Sequence, residues 1–308
     1  ERINAVTFAP FCARGTFEKE ETRQSLKLMK EKTGANYVIF APNGVQKTAF
    51  SENIDYRTKR NVSDEELTAM IAYAKQLGLK VALKPTANCE DGTWRAHINF
   101  FDEDVVCEPK WGNWFASYRA FQEHYAGLAQ QCGVDLFIAG CEMVQTERRE
   151  AEWREVIAAI RRKYDGLVSY NTDKYQEHNV KWWDAVDVIS SSGYYPLEDW
   201  ENQLDRIEAV VKRFQKPFFF AEAGCMSIVD SNKVPNDWTV QGEADVKGQA
   251  DWYEAMFEAC LKREWVRGMA FWSWNSHLYT KNAALKRKDY EIYAKPAEKI
   301  VKLSLIHI

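Results

Sequence analysis

The sequence reads as an α/β chain closed into a single (β/α)8 TIM barrel, on three observations. Eight short apolar runs recur along its 308 residues. Longer amphipathic stretches fill the gaps between them, and no composition break or linker divides the chain. Runs apolar on both faces suit the buried strands of a parallel sheet. Eight strand-then-helix units in about 300 residues match such a barrel. A doubly wound open sheet is the alternative, but it rarely needs eight units this regular. No Gly-rich phosphate loop follows the first run, where a dinucleotide fold would want one.

The strands are expected at 4–11 ("NAVTFAPF"), 36–42, 80–85, 135–142, 166–170, 187–195, 217–224 and 266–274. The first helix, "EKEETRQSLKLMKEKTG", carries acids in its first turn, sets Leu26 and Met29 at helical spacing and ends in Gly34. In "SDEELTAMIAYAKQLG", Ser63 caps, Glu66 completes a capping box and Gly78 stops the helix. Further helices are expected at 111–131, 147–164, 198–215 and 245–263, with a short one at 175–184. The single domain is expected over 1–303. Residues 304–308, the end of "LSLIHI", read as a non-native or disordered tail left by cloning or assembly.

Composition narrows the function. A net charge of -4 gives no basic footprint, so nucleic acid is not an expected partner. No apolar run approaches the roughly 18 residues a membrane span needs, so no membrane is expected either. Seven scattered cysteines without a CxxC suit free core thiols in a reducing compartment. No signal-peptide pattern opens the sequence. The expected location is therefore the cytoplasm, with a secreted form whose signal has been removed as the alternative. Five histidines show no HxH or HExxH spacing, and no GxSxG elbow occurs. No metal and no cofactor are expected. The 12 tryptophans, 14 tyrosines and 16 phenylalanines exceed what a core of this size needs. Surplus tryptophan can line a groove that binds flat apolar faces, such as those of sugar rings.

Two of the eight runs end in a glutamate. "DLFIAGCEM" carries Glu142 at the end of the fourth strand, and "PFFFAEAGC" carries Glu222 at the end of the seventh. An ionised carboxylate buried without a partner is costly. At the C-terminal ends of barrel strands, however, side chains surround a pocket rather than a sealed core. Paired carboxylates there suit glycoside hydrolysis, in which one gives a proton to the leaving oxygen and the other attacks or activates water. The alternative is two glutamates in structural ion pairs with strand-end arginines.

With these residues in place, the chain resembles a clan A glycoside hydrolase, and most closely glycoside hydrolase family 113, the β-1,4-mannanases. "VTFAPF", "LKP", "AGCE", "FFAEAG" and "FWSWN" carry the likeness, which spans residues 4 to 303. The resemblance implies Glu142 as acid/base and Glu222 as nucleophile. It further implies retention of anomeric configuration, with carboxyls about 5 Å apart. Most of the clan has Asn immediately before the acid/base, where this chain has Cys141. Family 113 is similar in lacking that Asn, and mannose has an axial 2-hydroxyl.

The resemblance also suggests the surrounding cast. Tyr194 of "GYYPL" is expected to hydrogen-bond the nucleophile. Trp272 is expected as the platform under the cleaved sugar. Trp274, on the same strand face if the strand is regular, is expected to reach a neighbouring subsite. The long segment after the third strand offers Asn88 and Trp94 as glycone contacts and Lys84 as a donor to hydroxyls. Trp238, in a loop with Asp230 and Asn236 after the seventh strand, is a weaker candidate for the aglycone side. "KWWD" (181–184) is read as core.

The expected function is thus a retaining endo-β-1,4-mannanase whose partner is β-mannan or a manno-oligosaccharide, with transglycosylation as a side activity. An exo-acting β-mannosidase, or another clan A β-glycosidase such as a xylanase or glucanase, is the first alternative. A non-catalytic carbohydrate-binding barrel is the second.

Overall fold

Polar side chains occupy the C-terminal rim of the sheet, and nearly everything beneath them is apolar. The computed structural model describes residues 1–307. Eight strands form the sheet: β1 (Ile3–Phe8), β2 (Tyr37–Phe40), β3 (Lys80–Leu83), β4 (Leu136–Cys141), β5 (Leu167–Thr172), β6 (Val188–Gly193), β7 (Phe218–Ala223) and β8 (Val266–Trp274). They close into a parallel barrel with β1 paired to both β2 and β8. Two short strands, Asn43–Gln46 and Thr86–Cys89, pair separately above the rim.

Alternation along the strands sorts side chains into two layers. Ile3, Ala5, Ile39, Ala82, Ile138, Phe219 and Ala221 fill the barrel interior. Val38, Phe137, Phe218 and Phe220 point outward under the helices. Those helices are α1 (Glu20–Thr33), α2 (Asp64–Gln76), α3 (Trp111–Cys132), α4 (Glu150–Arg161), α5 (Trp200–Phe214), α6 (Val246–Cys260), α7 (Lys281–Lys286) and α8 (Pro296–Ile306). The expected capping box opens α2, where the Ser63 hydroxyl accepts from Glu66 N and the Glu66 carboxylate accepts from Ser63 N. The same carboxylate accepts from Gly15 and Phe17 N, which moors the loop before α1.

Three expectations need correction. The crossover after β5 holds no α-helix, only 3-10 turns at Glu177–Asn179 and Trp183–Ala185. Bulk replaces length there. Trp182 and Trp183 are fully buried, and Trp182 stacks on Trp153 of α4 at 4.8 Å. The tail read at 304–308 continues α8 as far as Ile306, with Leu305 buried, while residue 308 lies outside the described residues. The aromatic surplus is mostly core. Eight of the 12 tryptophans are fully buried (111, 114, 153, 182, 183, 200, 252 and 274), and only Trp94, Trp238 and Trp272 line the cleft described below. Along α3, Trp111, Trp114, Phe115, Tyr118 and Phe121 pack edge to face or stacked against one another. Aromatic pairs of this geometry add to simple area burial. Among the described residues, no helix is long and apolar enough to cross a membrane.

Closure of the barrel depends on Gly268, which pairs with Ile3 at the seam. A Cβ there would lie 2.0 Å from the Ile3 carbonyl oxygen. Gly268→Ala should therefore force the strands apart and cost more than about 3 kcal/mol. Gly127→Ala, in the interior of α3 where a Cβ meets nothing within 4 Å, should instead stabilise by about 0.5–1 kcal/mol. Urea unfolding of the two variants measures both effects.

Candidate active site

Regular alternation would aim Glu222 outward, since Phe219 and Ala221 point into the barrel. A register shift between β6 and β7, where Ser191 pairs with Phe220 but Ser192 with Glu222, turns the carboxylate to the mouth instead. The same device operates on β4. There the register against β5 shifts between Ile138 and Cys141, and Gly140 takes φ +106. Only glycine fits, because a Cβ would come 1.9 Å from the Tyr118 hydroxyl, which donates to Ala139 O. Bulges at strand ends re-aim side chains in this way.

Both carboxylates are nearly buried, and every one of their oxygens accepts a protein donor. Glu222 Oε1 accepts from the Tyr194 hydroxyl at 2.6 Å. Its Oε2 accepts from Lys84 Nζ at 3.2 Å and from Cys141 Sγ at 2.8 Å. Glu142 Oε1 accepts from Arg95 Nη1 at 3.0 Å and Trp94 Nε1 at 3.2 Å, and its Oε2 from Ser192 Oγ at 2.7 Å. Asn171, at the end of β5, joins the two halves. Its Oδ1 accepts from Lys84 and its Nδ2 donates to Ser192 Oγ. The reactive atoms of Cys141, Glu142 and Glu222 all lie within 4.8 Å of one another.

These contacts set the protonation states. Burial alone would raise the pKa of Glu222. The Lys84 ammonium, the Cys141 and Tyr194 donors and the Arg95 charge outweigh it and hold the carboxyl below its ordinary range. Burial would lower the pKa of Lys84, but the Glu222 charge beside it wins and keeps the ammonium charged. Burial, reinforced by the Glu222 charge, pushes the Cys141 thiol well above its usual value. It therefore stays a neutral donor.

Cys141, Glu142 and Glu222 are also the one group among the described residues with spacing for a metal ion. Their charge fits that use poorly, since Lys84 and Arg95 already neutralise the two acids. The donor set suits ion-paired acids facing an organic ligand.

A cavity of about 350 Å³ opens over the pair. Asn88, Trp94, Tyr194, Trp272 and Trp238 line it, as does Asn236. Trp272 lies against Phe11 at 5.7 Å between ring centroids, and Trp238 meets Trp94 edge-on at 6.0 Å. Asn88 accepts from Arg95 Nη2 at 2.8 Å and so helps hold the cation of Glu142.

Two expected contacts are not made. Trp274 does not reach a subsite. The β1–β8 register shifts between Thr7 and Phe8, which breaks the alternation. Trp274 is buried behind the strand, with Nε1 donating to Ser25 Oγ of α1. Lys84 is sealed beneath the cavity, and its three donors are spent on Glu222, Asn171 and the Ala221 carbonyl, leaving nothing for a sugar hydroxyl. Asp230 stays outside the cavity and pairs with Lys233. Sequence reasoning also missed Arg95, Asn171, Ser192, Asp173, Lys174 and Tyr290. The signal for Ser192 and Asp173 was their position at the ends of β6 and β5, the rim where barrel chemistry sits.

The profile of Glycoside Hydrolase Family 113 matches residues 6–295. A solved structure described as a GH113 β-1,4-mannanase is 52% identical, with TM-score 0.99 and all of both chains covered. The GH113 β-mannanase AaManA from Alicyclobacillus acidocaldarius, in complex with ManMIm, is 40% identical with TM-score 0.96, over 99% of this chain and 97% of its own. A β-glucuronidase from Ruminococcus gnavus, 15% identical with TM-score 0.65 over all of this chain and half of that one, shares the fold. No curated protein sequence matches the chain.

Replacing Lys84 by Met should reverse the titration of Glu222. In the native protein a depressed carboxyl contributes stability above its unfolded pKa, and this is lost as pH falls through the folded value. Without the ammonium, burial raises the folded pKa, and stability declines as pH rises above about 4. The gap in unfolding free energy between native and Lys84→Met protein should widen from about pH 4 to 7. A gap that stays constant over that range would show that Lys84 does not set the charge of Glu222.

Proposed function

Since the chain belongs to glycoside hydrolase family 113, we propose that it is a retaining endo-β-1,4-mannanase with Glu222 as nucleophile and Glu142 as acid/base. The observation that carries the retaining mechanism is the approach of the two carboxylates, with oxygens within 4.8 Å of one another, while the division of roles rests on the family and on the depressed pKa of Glu222. Inverting enzymes need about 6.5–9.5 Å between carboxyls to hold a water, whereas retaining ones need about 5–5.5 Å. The solved relatives at 52% and 40% identity are β-mannanases, which supports a β-1,4-mannan or manno-oligosaccharide as substrate.

The reaction proceeds in two displacements. Glu222, kept ionised by its three donors, attacks the anomeric carbon while Glu142 gives its proton to the leaving glycosidic oxygen. The chain beyond that oxygen departs with the proton, and the sugar is held as an ester on Glu222. Glu142, now a carboxylate, takes a proton from an incoming water, whose oxygen displaces Glu222 from the same carbon. Two inversions give net retention. Trp272 offers a flat apolar face at the cavity wall for the sugar being cleaved. Cys141, which occupies the position of the clan's usual Asn, is turned to the nucleophile. A 2-hydroxyl contact would therefore fall to groups that line the cavity, such as Asn88 and Arg95.

Product analysis on β-1,4-mannohexaose, beside xylo- and cello-hexaose, tests the substrate. Internal cleavage of the mannan oligomer alone supports the proposal, single mannose units from one end would make the enzyme exo-acting, and no cleavage would overturn it. Glu222→Ala should abolish turnover and regain it with azide, giving a glycosyl azide of inverted configuration. Glu142→Ala should lose about 10²- to 10⁴-fold on mannohexaose and far less on an aryl mannoside with a good leaving group. Equal, modest losses for both variants on both substrates would sink the roles.

A further inference from the structure

Glu142 holds a backbone conformation that needs support. Its φ of +53 lies in the left-handed region, which costs a residue with a Cβ on the order of 1–2 kcal/mol. Strand β5 grips the chain on both sides of it. Glu142 N donates to Asn171 O at 2.7 Å, and Met143 N donates to the Tyr170 hydroxyl at 2.9 Å. The Tyr170 hydroxyl donates onward to Glu147 Oε2, and Thr172 Oγ1 donates to the same oxygen at 2.7 Å.

Glu147 is otherwise hard to account for. It is nearly fully buried, its partners are neutral hydroxyls, and its other carboxyl oxygen has no hydrogen-bond partner. Burial pushes the carboxyl up to about 8 against the pull of those two hydroxyls, with Asp173 and Glu177 adding to the rise. A polar group so placed costs free energy that an apolar side chain of similar size would not. The hydrolytic steps make no use of it. What it does touch is the one hydroxyl that secures the peptide after Glu142.

We infer that Tyr170, oriented by Glu147, is a positioning residue for the general acid: it fixes the Glu142–Met143 peptide so that the Glu142 carboxyl meets the leaving oxygen. This rests on the acid/base role proposed above. A misplacement of about 1 Å at a catalytic group can cost about 10²-fold, so removing the hydroxyl should be felt where proton donation limits the rate.

The experiment compares kcat/KM on mannohexaose with that on 2,4-dinitrophenyl β-mannobioside, whose leaving group scarcely needs a proton. Tyr170→Phe should lose about 10- to 100-fold on the oligosaccharide and stay within about threefold on the aryl glycoside. Tyr164→Phe is the control. Its buried hydroxyl donates to Val134 O just before β4, at the other end of the strand, so it should cost comparable stability with no such selectivity. Glu147→Leu frees the Tyr170 hydroxyl without touching the ring and should give the same selective loss. Glu147→Gln keeps an acceptor for both hydroxyls and should restore oligosaccharide turnover. Should Tyr170→Phe fail to fold, the two Glu147 variants decide the matter. Equal losses on the two substrates, no loss, or the same selectivity in Tyr164→Phe would each overturn the inference. Glu142→Ala, run alongside, separates the two assignments. If it shows no leaving-group selectivity, the acid/base role falls and this inference with it. If it does and Tyr170→Phe does not, the inference alone falls.

Discussion

The site depends on one ion pair placed where water scarcely reaches, between Lys84 and Glu222 at 3.2 Å. Either charge alone would cost several kcal/mol at that depth; together, with their remaining hydrogen bonds made, they can be held there. The pair also has a mechanical role. Lys84 follows β3, Glu222 ends β7 and Asn171 ends β5, so a single ammonium ties three strand ends across the mouth. Arg95 performs the matching service for Glu142, whereas burial and the nearby Glu142 push the Asp173 carboxyl up to about 8 despite Lys174 beside it. The two glutamates thus each face a base, which leaves a cleft rich in hydrogen-bonding groups. That balance suits an uncharged polyhydroxylated ligand better than a phosphate or a carboxylate.

The second constraint is directional. A strand presents alternate faces, so a barrel lined with apolar side chains cannot also aim consecutive polar residues at its mouth unless the alternation breaks. It breaks at three strand ends, on β4, β7 and β8, each beside a residue that lines the cleft. The apolar run Phe218–Phe220 can thus serve the core while Glu222, at its end, serves the ligand. Gly140, squeezed against the Tyr118 hydroxyl, shows how closely the backbone must approach its neighbours for this to happen.

Much of this was legible in the sequence, for physical reasons. Parallel strands covered on both faces read as continuous apolar runs, and all eight were placed from that pattern. A lone carboxylate closing such a run stands out because burial without a partner is costly, so Glu142 and Glu222 were visible before any likeness was invoked. Their distinct roles were not, and came from resemblance to the family. What stayed hidden depends on register between strands. Trp274 was misplaced because one shifted residue reverses a strand's faces. Lys84 was read as a ligand donor because its partner lies 138 positions away along the chain. The tryptophan count pointed to a groove, although most of these rings replace cover over the sheet, as Trp182 and Trp183 do where a helix was expected.

That partition of tryptophans makes the protein its own pair of optical probes. Eight indoles sit in the dry layer between sheet and helices, so the bulk of the emission reports whether the barrel is intact. Trp94, Trp238 and Trp272 stand at the cleft wall, and a sugar settling on them would alter only that minor share of the signal. Unfolding should therefore appear as a large red shift, and ligand occupancy as a small change in intensity at nearly constant wavelength. The same intrinsic fluorescence could follow folding and binding in one cuvette, without a label.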